Sequence, residues 1–302
     1  MPRNKAYIYV LVLLAVTFWG LSYVWTKMAF EYYRPISVMF VRLSVASLIM
    51  WGIVNVMRNK QKVERSDYKT FVILSFFSPF CYFIGENFGV FHVSPTLAAV
   101  IIATIPVFSP LVAYFGFREK ISAINVLGFI LSFLGITIMV LDADFRFTAS
   151  PIGLFWLFFA VLSALINVIF LKKLAVKYSS FTIIRVQNLL GALFFLPLFL
   201  IMDFREFVHV RPSPDALAAL LALAVFGSTL AFMFFTSGVR AIGIARTSIF
   251  TNLIPVVTAV TSFLLLKEVI DLSKIIGMLI VIGGLLMTQI TRLRNRKRLL
   301  KK

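Results

Sequence analysis

The chain has 302 residues, 61% hydrophobic and only 14% charged, and its 30 Lys and Arg against 12 Asp and Glu give a net charge of +18. A soluble domain carries about 25% charged residues, so a soluble globular protein is excluded. The apolar residues recur in blocks of about 20, each long enough to cross a bilayer core. One cysteine, Cys81, rules out a disulfide framework and a cysteine-based metal site.

Polar breaks divide the chain into ten apolar segments, each expected to be a helix because lipid offers no partner to unpaired backbone groups. The first, 7–30, is too long for a signal-peptide core and lacks a small-residue cleavage pattern, so it reads as a retained span. Within it Trp19, Ser22, Tyr23 and Thr26 follow the 0, 3, 4, 7 spacing of one helical face. Trp19 and Tyr23 lie away from the headgroup levels where aromatic belts collect, and read as cavity walls. Lys27, near the end of the span, can snorkel to the surface.

The second span, 35–57, carries Arg42, and the third, 70–91, carries Glu86 within "YFIGENFGVFHVSP". Glu86 is the one acid far from a polar loop. At helical rise it lies roughly 7.5 Å from the middle of its span and Arg42 roughly 6 Å from the middle of its own, on the same side. Glu86 is therefore expected to face the bundle interior and to interact with Arg42, directly or through water. An ionisable residue inside a span is a functional hypothesis by default. Two readings stay open: a fixed link, or a site where Glu86 binds a proton or a substrate amino group while Arg42 attracts a carboxylate or tunes the acid. Asn87, beside Glu86, is a further cavity candidate.

The fourth and fifth spans cover 95–116 and 122–141. Asn167 lies in the sixth (151–172), Gln187 and Asn188 in the seventh (180–202), and Ser228 in the eighth (215–238). The ninth, 242–265, carries a stripe including Thr251, Asn252, Pro255 and Thr258, and the tenth covers 272–291. Small and hydroxyl residues also mediate close helix packing. Asn167 and Asn252 are stronger cavity candidates, because a buried amide needs partners.

Two stretches match without gaps, one from Ala103 and one from Asn252. Pro106 aligns with Pro255, Glu119 with Glu268, Gly128 with Gly277 and Gly135 with Gly284, all at an offset of 149. Four such identities at one offset indicate duplication. Five spans per copy is odd, so the second copy enters the membrane from the opposite side, an arrangement found in secondary transporters. Pro106 and Pro255, inside spans four and nine, each remove a backbone hydrogen bond, freeing the carbonyls of Ile102 and Thr251. Both read as kinks or hinges. Glu119 and Glu268, each shortly before the next helix, read as structural caps.

With the N-terminus inside, cytoplasmic segments hold 21 Lys and Arg and outer loops six, so the positive-inside rule places both termini in the cytoplasm. The basic tail 292–302 then serves orientation and favours anionic headgroups, not nucleic acid.

"TFWGLSYVWTK" in the first span, "PISVMFVRL" opening the second, and the twice-used pattern of Pro, twelve residues, Glu, eight residues, Gly resemble the drug/metabolite transporter superfamily, specifically its ten-helix EamA-type members. The likeness covers nearly the whole chain. It implies an all-α membrane fold of two inverted five-helix repeats, 1–142 and 151–291, around a central cavity from which helices five and ten mostly stand apart. The family exports amino acids and other metabolites or carries nucleotide sugars in organelles. The expectation is a secondary transporter, foremost an exporter of amino acids or related solutes, working by alternating access in a cell inner (plasma) membrane. No catalytic residue, metal or cofactor is expected; the partners are a small-molecule substrate, protons as candidate coupling ion, and lipid. Substrate, direction and oligomeric state stay open. A channel or lipid scramblase is the alternative. An intramembrane enzyme is weaker still, because His92 and His209 lie far apart in outer loops without metal-ligand spacing.

Overall fold

Apolar runs that must pair every backbone group internally are confined to helices. In the computed structural model, which describes residues 5–56, 61–108, 110, 122–141, 144, 146–211 and 213–299, the regular structure is helical apart from one isolated bridge between Leu141 and Phe147. In chain order the helices are α1 (Lys5–Ala29), α2 (Pro35–Val56), α3 (Arg65–His92), α4 (Pro95–Phe108), α5 (Ala123–Val140), α6 (Pro151–Lys177), α7 (Ser180–His209), α8 (Pro214–Ile242), α9 (Ser248–Leu266) and α10 (Leu272–Leu299). Among the described residues nine are long and apolar enough to cross a membrane, and α4 is a shorter apolar helix. Glu119 and the end of the expected fourth span lie outside the described residues.

Local sequence sets many of the starts. Ser94, Ser122, Ser179 and Ser213 each accept a backbone N–H from three residues on, and Pro95 and Pro214 follow two of these caps. Gly243 (φ 85°) turns the chain between α8 and α9, in a region that a side chain disfavours.

Two expected helices are not continuous. In α3, Ser78 leaves the helical region (φ −150°, ψ 122°) just before Pro79, a proline that the sequence reading passed over. The ninth span is split as well. A short helix, Ile244–Ile249, leads into a 3₁₀ turn, Phe250–Leu253, and only then does Ile254–Leu266 run as α-helix. Pro255 therefore stands in the first turn of a new segment, where a missing N–H costs nothing, and not in a helix interior. The Thr251 carbonyl is not left free: it accepts the N–H of Ile254. Pro106 follows a similar interruption at Thr104, whose carbonyl accepts from Val107 at 2.8 Å.

Packing is by pairs: α5 with α10, α3 with α6, α2 with α7, α1 with α8 and α9, and α4 with α9. Small residues permit the closest approaches, as expected where lipid removes the hydrophobic drive between helices. A Cβ on Gly128 would lie 2.8 Å from the Gly284 carbonyl oxygen, and one on Gly135 would lie 2.6 Å from that of Gly277. Among the described residues none of α5 or α10 lines the central cavity, and α5 turns Ile130, Phe133 and Leu134 outward.

Candidate functional site

The break in α3 organises the centre of the bundle. Freed from the helix, the Ser78 carbonyl accepts from Gln187 Nε2 at 2.7 Å and Asn167 Nδ2 at 3.5 Å, and Asn167 also donates to the Leu74 carbonyl at 2.9 Å. Beside this break lies a cavity of about 320 Å³. Helix α1 contributes Trp19, Ser22 and Tyr23, α2 Arg42, α3 Ser78, Tyr82, Phe83 and Glu86, and α6 Ala164, Asn167 and Val168. Ile102, Ile105, Phe232 and Ile254 complete the wall. Six of the sequence-derived candidates thus converge: Trp19, Ser22, Tyr23, Arg42, Glu86 and Asn167.

Glu86 sits one helical turn after Tyr82, so both side chains share a face. The Tyr82 hydroxyl donates to Glu86 Oε1 at 2.7 Å. Arg42 is almost wholly buried (3% exposed). Its Nε donates to Ser228 Oγ at 2.6 Å, and its guanidinium carbon lies 4.6 Å from the Phe83 ring centroid. The two charges lie in one another's field, but among the described residues no direct ion pair joins Arg42 to Glu86. The direct form of the expected contact is therefore absent. Each group has taken a neutral partner and leaves its charge facing the cavity.

Four other candidates lie elsewhere. Asn87 donates to the Phe83 carbonyl at 2.9 Å and to Met39 Sδ at 3.0 Å, packing α3 on α2. Asn252 and Gln289 exchange amide hydrogen bonds at 2.9 and 3.2 Å, clamping the start of α9 to α10. Thr251 bonds back to the Ser248 carbonyl at 2.7 Å. Asn188 lines a side chamber of about 80 Å³ with Gln187, Ser228 and Phe232. The sequence reading missed Tyr82 and Phe83 as wall residues, although the four-residue spacing of Tyr82 and Glu86 was there to be read.

Glu268 is a cap, as expected, but not of the helix that follows it. It accepts from Thr96 Oγ1 at 2.8 Å and Thr96 N at 3.4 Å in the first turn of α4, and from Ser262 Oγ at 2.6 Å. It lines a second cavity of about 470 Å³ with Lys27, Glu31, His92 and Lys274. Lys27 reaches the carbonyls of Val90, Phe91 and Val93 at 2.9, 3.1 and 3.3 Å, so it satisfies the C-terminal end of α3. Asp203 does the equivalent for α2: buried, it accepts from Ser37 N and Ser37 Oγ, both at 3.0 Å. Asp203 is a second buried acid, 3% exposed, but it stands beside the polar end of α7, at Arg205 and Glu206. At the face carrying the termini, Lys177 and Tyr178 meet Asp67 at 3.1 and 2.8 Å; the Lys177 side chain is half exposed, whereas Tyr178 is buried.

Comparison with known proteins completes the picture. The EamA-like transporter family matches twice, over residues 6–141 and 151–290. An uncharacterized transporter of Bacillus subtilis, YetK, is 28% identical over 76% of this chain and 70% of its own length. An uncharacterized transporter of Archaeoglobus fulgidus is 24% identical over 92% of this chain and 96% of its own. A probable terminal-alkyne amino-acid exporter of Streptantibioticus cattleyicolor is 24% identical over 98% and 97%. A solved crystal structure superposes with a TM-score of 0.66 over 93% of this chain and 97% of that one, at 14% identity, a likeness of fold alone. With two family matches spanning nearly its whole length and a bundle of membrane-length apolar helices, the chain is a multi-pass membrane protein that belongs to the EamA-like transporter family.

Proposed function

We propose that this protein is a secondary transporter that exports small amphoteric metabolites, amino acids first among them, by alternating access. The observation that carries the reading is the cavity at the α3 break, where an acid held by Tyr82 beside Tyr23 and a base held by Ser228 both line open space. Such charges are costly in a membrane interior unless function retains them. Glu86 takes a substrate ammonium or a coupling proton. The exporter named among the relatives supports the substrate class and the direction.

The moving parts we propose are two inverted five-helix units, 1–142 and 151–291. Exchanging α1–α5 with α6–α10 maps the pairs α5–α10, α2–α7 and α4–α9 onto themselves and α3–α6 onto α8–α1. The glycine contact of Gly128 with Gly284 becomes that of Gly277 with Gly135 under the same exchange. The Lys177–Asp67 ion pair, exposed on its lysine side, joins α3 to the end of α6 and can be broken and remade at little cost. Counting of basic residues supports a plasma-membrane orientation with both termini in the cytoplasm and the tail 292–302 against anionic headgroups.

The test is counterflow of an amino-acid panel in proteoliposomes holding wild-type protein or Glu86→Gln. The wild type is expected to show saturable exchange of at least one panel member, lost or stripped of its pH dependence in Glu86→Gln. Non-saturating conductance, or an unchanged Glu86→Gln, defeats the reading.

A further inference from the structure

A guanidinium buried inside a protein is stable only when paired or fully hydrogen-bonded. Arg42 is neither. Arg42 lines the cavity, and among the described residues its single hydrogen bond is from Nε to Ser228 Oγ, with no partner for its terminal Nη groups. One helix away, the Asn188 amide is 7% exposed, and its Nδ2 is a buried donor with no partner. Asn188 and Ser228 share the side chamber of about 80 Å³, which adjoins the main cavity through Ser78, Tyr82, Phe83 and Phe232. Unsatisfied donors of two kinds therefore flank the junction of two adjoining spaces, Arg42 on the main-cavity side and Asn188 on the side-chamber side, and Glu86, the acid that lines the main cavity among the described residues, is already engaged by Tyr82. Such an arrangement lacks an anionic acceptor.

We propose that Arg42, Ser228 and Asn188 form the seat for the anionic end of the substrate, a carboxylate, and that Asn188 and Ser228 decide specificity for it. This rests on the amino-acid reading above and adds the orientation: carboxylate at the junction of the main cavity and the side chamber, ammonium toward Glu86. The planar fork of Arg42 matches a carboxylate through two parallel N–H donors, and Asn188 supplies a third. A doubly charged phosphate fits less well, since the nearby Glu86 repels added negative charge. Ser228 holds Arg42 through Nε, the nitrogen that such a fork can spare. Because Arg42 belongs to α2 while Asn188 and Ser228 belong to α7 and α8, a seated carboxylate bridges the two halves of the chain, which is how cargo can report its presence to the rocking motion.

The experiment compares each amino acid that exchanges in proteoliposomes with its own amide, which keeps the ammonium and loses the anion. Wild-type protein is expected to prefer the acid by about tenfold to a hundredfold, the worth of a charge-assisted hydrogen-bond set. Asn188→Asp, nearly isosteric, places a carboxylate of the protein in the seat and is expected to erase the preference. Ser228→Ala should weaken acid exchange severalfold more than amide exchange. Equal exchange of acid and amide by the wild type overturns the inference and needs no variant to fold; a preference that survives Asn188→Asp overturns it as well. If amino acids exchange without regard to the carboxylate, the transporter reading stands and only the seat falls. If none exchanges, both fall together.

Discussion

The two halves of the chain meet the cavity with equivalent positions and unequal chemistry. Residues 149 apart face it from both sides: Trp19 and Val168, Phe83 and Phe232, Ile105 and Ile254. The charged groups have no such counterparts. At the same offset Glu86 corresponds to Phe235, Tyr82 to Ala231 and Arg42 to Gly191, and Gly191 is needed where it is, because a Cβ there would lie 2.5 Å from Pro79. The first half thus brings the charges and the second brings neutral donors, Asn188 and Ser228 among them. The difference teaches that positions 149 apart can agree in shape, because packing constrains both alike, without agreeing in charge. Polar function needs only one copy, and each further buried charge adds desolvation cost.

The sharpest break of this asymmetry is Arg42→Met. Losing a buried charge that faces ligand is expected to cost about 2–5 kcal/mol of binding, roughly thirtyfold or more in apparent affinity, read from concentration-dependent counterflow. Next, the acid can be moved across the offset. Glu86→Gln combined with Phe235→Glu is expected to stay as inactive as Glu86→Gln alone, since no tyrosine stands at position 231 to hold the new carboxylate; recovered exchange would show that the halves are interchangeable in charge as well as shape.

Smaller effects test the symmetric part. Gly277→Leu should lower stability by about 1–3 kcal/mol through overpacking against α5, whereas Gly283→Ala, which meets nothing within 4 Å, should be neutral or stabilise by up to about 1 kcal/mol. Thermal unfolding in one detergent compares the two. Smallest is the amide clamp. A double-mutant cycle of Asn252→Leu and Gln289→Leu should return a coupling of about 0.6 kcal/mol, ordinary for polar helix contacts in membranes. Exchange should be unchanged, and a loss of it would return Asn252 to the cavity side of the comparison.

Single residues differ in how far they could be read in advance. Glu86 and Arg42 were legible because a charge inside an apolar span has few explanations and depth follows from counting residues. Trp19, Ser22 and Tyr23 were legible because helical spacing places them on one face. Asn252 was not, because a buried amide announces only that it needs a partner, and Gln289 on another helix supplied it. Tyr82 was overlooked among many aromatics, and its role comes from the acid one turn away. Pro79 was visible as a residue type, but the consequence of its break, a carbonyl offered to Gln187 and Asn167, depends on helices far off in sequence.

By itself the sequence determined the membrane class, the ten apolar segments, the duplicated pattern and the presence of one deep acid and one deep base. These follow from hydrophobic length, charge and spacing, which are properties of a linear string. Only the tertiary structure decided which polar groups meet. Whether Arg42 pairs with Glu86 or with Ser228, whether Glu268 caps α10 or α4, and whether an amide faces a cavity or a neighbouring helix are set by helix rotation and crossing, and these arise from packing of the whole bundle.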